Sequence, residues 1–348
     1  MKIFYSDNHN QHNPAFEIFE GGVKTPYLEN PDRLERMLSA MQNLDWIEIL
    51  APTDFGLGPV LAVHDADYVD YLGSAYEEWI RQGDDYKQID LLPSTFPPRG
   101  YTHKPDNILG RAGYYTFDLS APIQADTYRA ALGAVNCALS GAKEINGGNK
   151  AAFALCRPPG HHAGKSFSGG YCYLNNSAIA ANWLTQFGRV AILDIDYHAG
   201  NGTQDIFYKR EDVFSVSIHA DPSFEYPYYC GYANDTGAPL GENTGTGTGS
   251  QHNYPLPLGT GDAKYLSTLE DALWKIQSYE ADFMVLSAGM DIYKDDPLGT
   301  FEITRDGIKE IGRAIASLKI PTLIVTEGGY DNETLGDNFI ALISPFSL

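Results

Sequence analysis

Asp194, Asp196 and His198 stand at alternate positions at the end of the apolar run Val190-Ala191-Ile192-Leu193. The run reads as a buried strand bounded by Gly188 and Gly200. Side chains alternate along a strand, so these three fall on one face at its C-terminal end. Two carboxylates and an imidazole are costly to bury without a partner. A divalent metal satisfies them: zinc takes His nitrogen and Asp oxygen, and a catalytic site needs three protein ligands and a water.

Three other apolar runs end in polar clusters. Residues 151–156 run into Arg157-Pro158-Pro159-Gly160-His161-His162, residues 283–287 into Ala288-Gly289-Met290-Asp291, and residues 322–326 into Glu327-Gly328-Gly329-Tyr330. On one sheet edge with Asp196 and His198, Asp291 becomes the third metal ligand. A lone acid at a strand end is more often a cap or turn residue; convergence raises Asp291 above that. Tandem histidines suit general acid–base work, because imidazole titrates near neutral pH. A metal-activated water beside them can attack a carbonyl, and Tyr330 can donate its hydroxyl to the oxyanion that forms. Each part alone has a bland reading, a hydrogen-bonded core histidine or a turn tyrosine. The order HH, DxDxH, GxD, EGGY is far more specific.

The elements that must position these groups alternate along the chain. Strands are expected at residues 2–5, 151–156, 190–194, 213–218, 283–287 and 322–326, and helices at 31–44, 66–82, 127–143, 176–186, 263–279 and 305–318. The pattern predicts an α/β fold with a central, mostly parallel, multi-stranded sheet flanked by helices. In such sheets ligands bind outside the C-terminal strand ends. Two irregular stretches, 83–107 and 221–261, are long enough to be functional or interface-forming. The Gly-Thr repetition at 244–249 reads as a mobile loop, since no Lys follows it and no helix starts there. No linker splits the chain, so residues 1–348 are read as a single domain with an insertion at about 83–107.

Composition narrows the classes. A chain of 348 residues with 43% hydrophobic content can bury a large core. The formal net charge of −21 argues against nucleic acid as a partner and would attract a cationic substrate. Acidic surfaces also serve solubility, so charge alone says little about the site. No run approaches the ~18 apolar residues of a membrane span, and the N-terminus turns polar too soon for a signal peptide. Four cysteines without a CxxC pair read as buried free thiols in a reducing, cytoplasmic compartment.

These motifs resemble the zinc-dependent deacetylases of the arginase–deacetylase superfamily, the histone deacetylase-like amidohydrolases, and within them the bacterial acetylpolyamine amidohydrolases. The resemblance is carried by residues 157–163 (RPPGHHA), 169–176 (GGYCYLNN), 194–204 (DIDYHAGNGTQ) and 217–222 (SIHADP). Asp291, Asp296-Pro297 and residues 327–330 (EGGY) complete it. It implies that Asp196, His198 and Asp291 bind Zn2+, with Fe2+ or Co2+ also suited to that donor set. It implies His162 as general base and then acid, with His161, held by Asp194, as its electrostatic partner. Tyr330 would polarise the acetyl carbonyl. Tyr171 and Tyr226 would wall a substrate tunnel, and the Gly170 backbone would meet the scissile amide. Asp194, Asp196, His198, Ser217 and Ile218 resemble a structural K+ site. The implied reaction is hydrolysis of the acetyl amide of small acetylated polyamines or diamines, and residues 83–107 would form a homodimer contact that narrows the tunnel.

Some positions depart from the family pattern. Ala199 stands where most relatives carry a second histidine, and Asn201 where some carry an aspartate behind the general base. Leu109 replaces a polyamine-specific glutamate, leaving Glu17 and Asp106 as candidates for the distal ammonium. A protein acetyl-lysine deacetylase is the alternative; a catalytically silent acyl-ligand binder is a third reading. An arginase-type two-metal enzyme would need further Asp and His ligands that the sequence lacks.

Overall fold

The computed structural model describes residues 1–101, 103–237 and 249–347. In chain order, the strands are β1 (Lys2–Phe4), β2 (Phe16–Phe19), β3 (Val23–Pro26), β4 (Glu48–Leu50) and β5 (Ala151–Ala154). They continue as β6 (Val190–Asp194), β7 (Val213–Ala220), β8 (Gln251–Leu256), β9 (Phe283–Ala288) and β10 (Thr322–Thr326). The helices are α1 (Asp32–Met41), α2 (Gly58–Leu61), α3 (Ala66–Ile80), α4 (Ile108–Tyr114) and α5 (Thr127–Asn146). After them come α6 (Asn176–Leu184), α7 (Asn201–Phe207), α8 (Asp262–Tyr279), α9 (Arg305–Ala316) and α10 (Leu335–Ile343).

Eight strands form one sheet in the order β4-β1-β5-β10-β9-β6-β7-β8, and every ladder in it is parallel. The β2–β3 pair is a separate antiparallel hairpin. The period-2 alternation of the central strands explains why both sheet faces are covered. In β6, Val190 and Ile192 enter a core shared with α3, α5 and α6, while Ala191 and Leu193 enter a second core shared with α1, α8, α9 and α10. β10 divides in the same way, Leu323 and Val325 against Ile324.

The fold departs from the sequence reading in two places. β6 ends at Asp194, where its ladders with β7 and β9 stop, so Asp196 and His198 lie on the bend beyond it. The cause is local: the Asp194 carboxylate accepts the Asp196 N–H at 3.0 Å and the Asp196 carboxylate accepts the His198 N–H at 2.9 Å. These side chains compete with the ladder for backbone donors. The stretch expected to be irregular at 221–261 contains β8, which pairs with β7. The Gly-Thr repetition lies outside the described residues apart from Gly249. Among the described residues no helix is long and apolar enough to cross a membrane, and all four cysteines are unpaired.

Strands β5, β10, β9 and β6 are consecutive neighbours at the centre of the sheet. Being parallel, they present all four polar clusters at one edge.

Candidate active site

The bend after β6 and the loop after β9 bring Asp196, His198 and Asp291 together, with one donor atom of each within 4.8 Å of the others. Each carboxylate is oriented by the backbone. Asp196 Oδ2 accepts the Gly328 N–H at 2.8 Å, and Asp291 Oδ1 accepts the Tyr197 N–H at 3.0 Å. Their other oxygens face His198 Nδ1, at 3.3 Å from Asp196 Oδ1 and 3.0 Å from Asp291 Oδ2. Both aspartates are fully buried.

Electrostatics at this cluster call for a cation. Burial and the Asp196 charge push the Asp291 carboxyl up to about 7. Burial alone would lower His198, but its bonds to Asp196 and Asp291 win and raise it to about 10. An imidazole nitrogen and two carboxylate oxygens are zinc donors, with room for water as a fourth ligand, so the residues fit a divalent metal. Gly328 and Gly289 are required by close approach. A Cβ on Gly328 would collide with Asp291 and stand 2.7 Å from Asp196 Oδ2, and one on Gly289 would collide with Asp196.

The loop after β5 carries His161 and His162, whose ring centroids are 4.0 Å apart. Their environments push them in opposite directions. His161 Nδ1 lies 3.0 Å from Asp194 Oδ2, and its Nε2 lies 3.7 Å from Asp196 Oδ1. Burial alone would depress it, but the Asp196 and Asp194 charges hold it well above the ordinary histidine range. His162 is lowered by burial, then by the His161 and His198 charges. Its Nδ1 donates to Asn201 Oδ1 at 2.6 Å, which leaves Nε2 unprotonated. The pair therefore contains one imidazolium and one free base.

Beyond β10, burial raises the Tyr330 phenol well above its usual range, although Arg33 opposes this, so the hydroxyl stays protonated and able to donate. The Arg33 guanidinium lies 4.8 Å from the ring centroid, and Asp296 Oδ2 accepts the Tyr330 N–H at 2.6 Å.

His162, His198 and Tyr330 line a cavity of about 240 Å³ together with Gly170, Tyr171 and Tyr226. The Tyr226 ring centroid is 5.0 Å from that of His162 and 5.8 Å from that of His198. Gly170, at φ +52°, packs so close that a Cβ would strike the His162 ring. Asp194 does not join the three-residue cluster; it stands behind His161.

Three acidic residues acquire their places only in three dimensions. Asp118 accepts the Gly170 N–H at 2.8 Å and the Tyr226 hydroxyl at 2.7 Å, tying two parts of the wall together. Glu327 is fully buried and raised by burial to about 7. It accepts the Gly160 and His161 N–H groups at 2.7 and 3.1 Å and the Ser177 hydroxyl at 3.0 Å. Glu225 lines the cavity. No local motif singles out Asp118 or Glu225; Glu327 is visible in the EGGY run, but its partners are not.

The two acids expected to meet a distal ammonium lie elsewhere. Glu17 is fully buried behind the wall, where it accepts the Tyr171 hydroxyl at 2.9 Å. The β2–β3 hairpin turns that carboxylate inward, and burial pushes it up to about 7. Asp106 is exposed in the turn leading into α4 and does not line the cavity. Asn107, the next residue, caps that helix through its side chain, which fixes the turn at the surface. At the proposed cation site, Ser217 pairs with Asp194 across β6 and β7, and Ile218 follows it. The Ser217 hydroxyl lies 2.7 Å from His219 Nδ1, and His219 Nε2 donates to the Gly231 carbonyl. The serine must therefore donate, and its oxygen lone pairs stay available.

Residues 27–344 match the histone deacetylase domain family model. The chain is 44% identical to acetylpolyamine amidohydrolase 2 of Pseudomonas aeruginosa, over 99% of this chain and 98% of that protein. It is 40% identical to the acetylpolyamine amidohydrolase of Mycoplana ramosa, over 97% of each. Among solved structures, acetylpolyamine aminohydrolase from Burkholderia pseudomallei superposes with a TM-score of 0.94 at 36% identity, covering 99% of this chain and 98% of that one.

Proposed function

The chain belongs to the histone deacetylase domain family, and we propose that it hydrolyses the acetyl amide of small acetylated polyamines or diamines, releasing acetate and a free amine. The observation that carries the chemistry is that His162, the free base of the split histidine pair, shares one cavity with His198 of the Asp196–His198–Asp291 cluster and with a protonated Tyr330. The substrate class rests on the relatives' names and on the aromatic walls, which suit a slender alkyl chain.

Asp196, His198 and Asp291 would hold Zn2+, or Fe2+ or Co2+, which when bound supplies Lewis acidity and an acidified water. The substrate threads between Tyr171 and Tyr226 with its acetyl group toward Tyr330. The Tyr330 hydroxyl donates to the acetyl oxygen and strengthens that bond as negative charge develops. His162 Nε2 accepts a proton from the attacking water. Asn201 holds the ring in the tautomer that permits this. His161, kept cationic by Asp194 and Asp196, adds positive charge next to the developing oxyanion. His162 then returns its proton to the departing amine nitrogen. Asp118 fixes Gly170 and Tyr226 where the amide and chain must pass.

We assign residues 1–348 to one deacetylase domain and place it in the cytoplasm. Asp194, Asp196, His198, Ser217 and Ile218 are assigned to structural K+, supported by the donor direction of the Ser217 hydroxyl. Residues 83–107 are assigned to a homodimer contact, supported by the exposed rings of Phe96 and Tyr101. Two substitutions test the catalytic assignment. Asp291→Ala abolishes metal binding and turnover together. Tyr330→Phe keeps the metal and loses about 10²- to 10³-fold in kcat; full activity in Tyr330→Phe would contradict the mechanism.

A further inference from the structure

The cavity has a floor, a waist and a mouth. His162, His198 and Tyr330 form the floor and are buried or nearly so, and Tyr171 and Tyr226 form the waist. The remaining lining residues are Ser120, Glu225, Pro297, Leu298, Gly299 and Thr300. Among the described lining residues Glu225 is the one carboxylate, and none is a lysine or arginine. A substrate with its acetyl group on the floor and a methylene chain at the waist brings its far end to this residue.

We propose that Glu225 is the specificity-determining residue that receives the distal ammonium of the substrate. The proposal rests on the reading of the substrate as a small acetylated amine with a second, charged nitrogen. Glu225 takes the place that Glu17 and Asp106 do not fill.

Glu225 sits on a fixed turn. Its N–H donates to the Asp221 carbonyl at 3.1 Å, and its carbonyl accepts the Tyr228 N–H at 3.0 Å. The next residue, Tyr226, is tied to Asp118 through its hydroxyl. The Glu225 carboxylate interacts with the Tyr197 hydroxyl, which is 2.8 Å from Thr300 Oγ1 on the same cavity lining. These contacts hold the charge at the mouth before substrate arrives, so little ordering is needed on binding. Glu225 is half-buried, where an ion pair is less screened than on open surface. Selection would then work through two features at once: the tyrosine waist admits methylenes, and the mouth carboxylate favours a cation beyond them.

The experiment compares kcat/KM for acetylputrescine with that for N-pentylacetamide, in which a methyl group replaces the ammonium. In the wild type the charged substrate is preferred. In Glu225→Gln the ratio of the two falls roughly five- to tenfold, mostly through KM. In Glu225→Lys the preference passes to 5-acetamidopentanoate, which carries a carboxylate in the ammonium's place. A merely structural role would lower all substrates together and leave the ratios alone. If the wild type prefers acetylputrescine and both variants keep that ratio, the assignment of Glu225 is overturned while the substrate reading stands. If the wild type does not distinguish the charged from the neutral compound, the substrate reading falls and the proposal with it.

Discussion

At His198 two carboxylates converge on one nitrogen, and in the metal-free protein they hold a proton there, with the histidine near 10. Asp291, near 7, is partly protonated at neutral pH. A metal must displace these protons, so binding is coupled to their release. The sign is fixed by both shifts being upward: affinity falls as pH falls. Calorimetric Zn2+ titrations in buffers of different ionisation enthalpy should give about one proton released per metal at pH 8, rising toward two at pH 6. Release near zero at both values would mean that the cluster is not the binding site. These three residues are legible in the sequence because each follows the end of an apolar run, and the sheet brings those ends together. Asp118 and Glu327 are not, because their partners are remote; Gly160 is 167 positions from Glu327. The opposite shifts of His161 and His162 are equally invisible in a bare HH, since they arise from Asp194, Asp196 and burial.

The loops that follow the strands must approach one another closely, and small residues permit it. Gly328, after β10, lies against the carboxylates of both Asp196 and Asp291. Gly328→Ala should lower metal affinity about 10- to 100-fold, measured by competition with a chromogenic chelator; unchanged affinity would mean that the loops adjust freely. A second device is His64, which joins the segment before α3 to the start of α6. Its Nδ1 donates to the Gly164 carbonyl at 2.8 Å, and its Nε2 accepts the N–H of Asn175, the N-cap of α6, at 3.0 Å. This arrangement needs a neutral ring, and burial pushes its pKa down to about 4. The folded state resists the proton that the unfolded state takes up near pH 6.5. The stabilisation is therefore complete above pH 6.5 and is lost as pH falls toward 4, amounting to about 3 kcal/mol. Urea unfolding at pH 7.5 and pH 4.5 should show His64→Gln destabilised at the higher pH, with the gap to wild type closing at the lower. A gap independent of pH would contradict the neutral assignment. Helices α1, α3, α5, α6, α8 and α9 and the six central strands are readable from apolar periodicity; α10, as long as α6, is not among the helices expected from it. The bend at residues 195–198 is not, because side-chain carboxylates take the donors that a strand would have used.

Over the whole molecule, an eight-stranded parallel sheet buried on both faces sets the four polar loops at one edge. This much follows from the alternation of strand and helix patterns in the sequence. Strand order and the path of the β2–β3 hairpin do not. The hairpin has no long periodic run to announce it, yet it decides that Glu17 is buried behind Tyr171. On the proposed function, this frame carries a narrow mouth that admits small cationic amines. That function is tested most directly by acetate release from the zinc-loaded protein, comparing acetylputrescine, acetylcadaverine and acetylspermidine with an acetyl-lysine peptide. Higher kcat/KM for the small amines is the predicted result. Preference for the peptide would contradict the substrate assignment, and no acetate from any of the four would contradict the proposed chemistry.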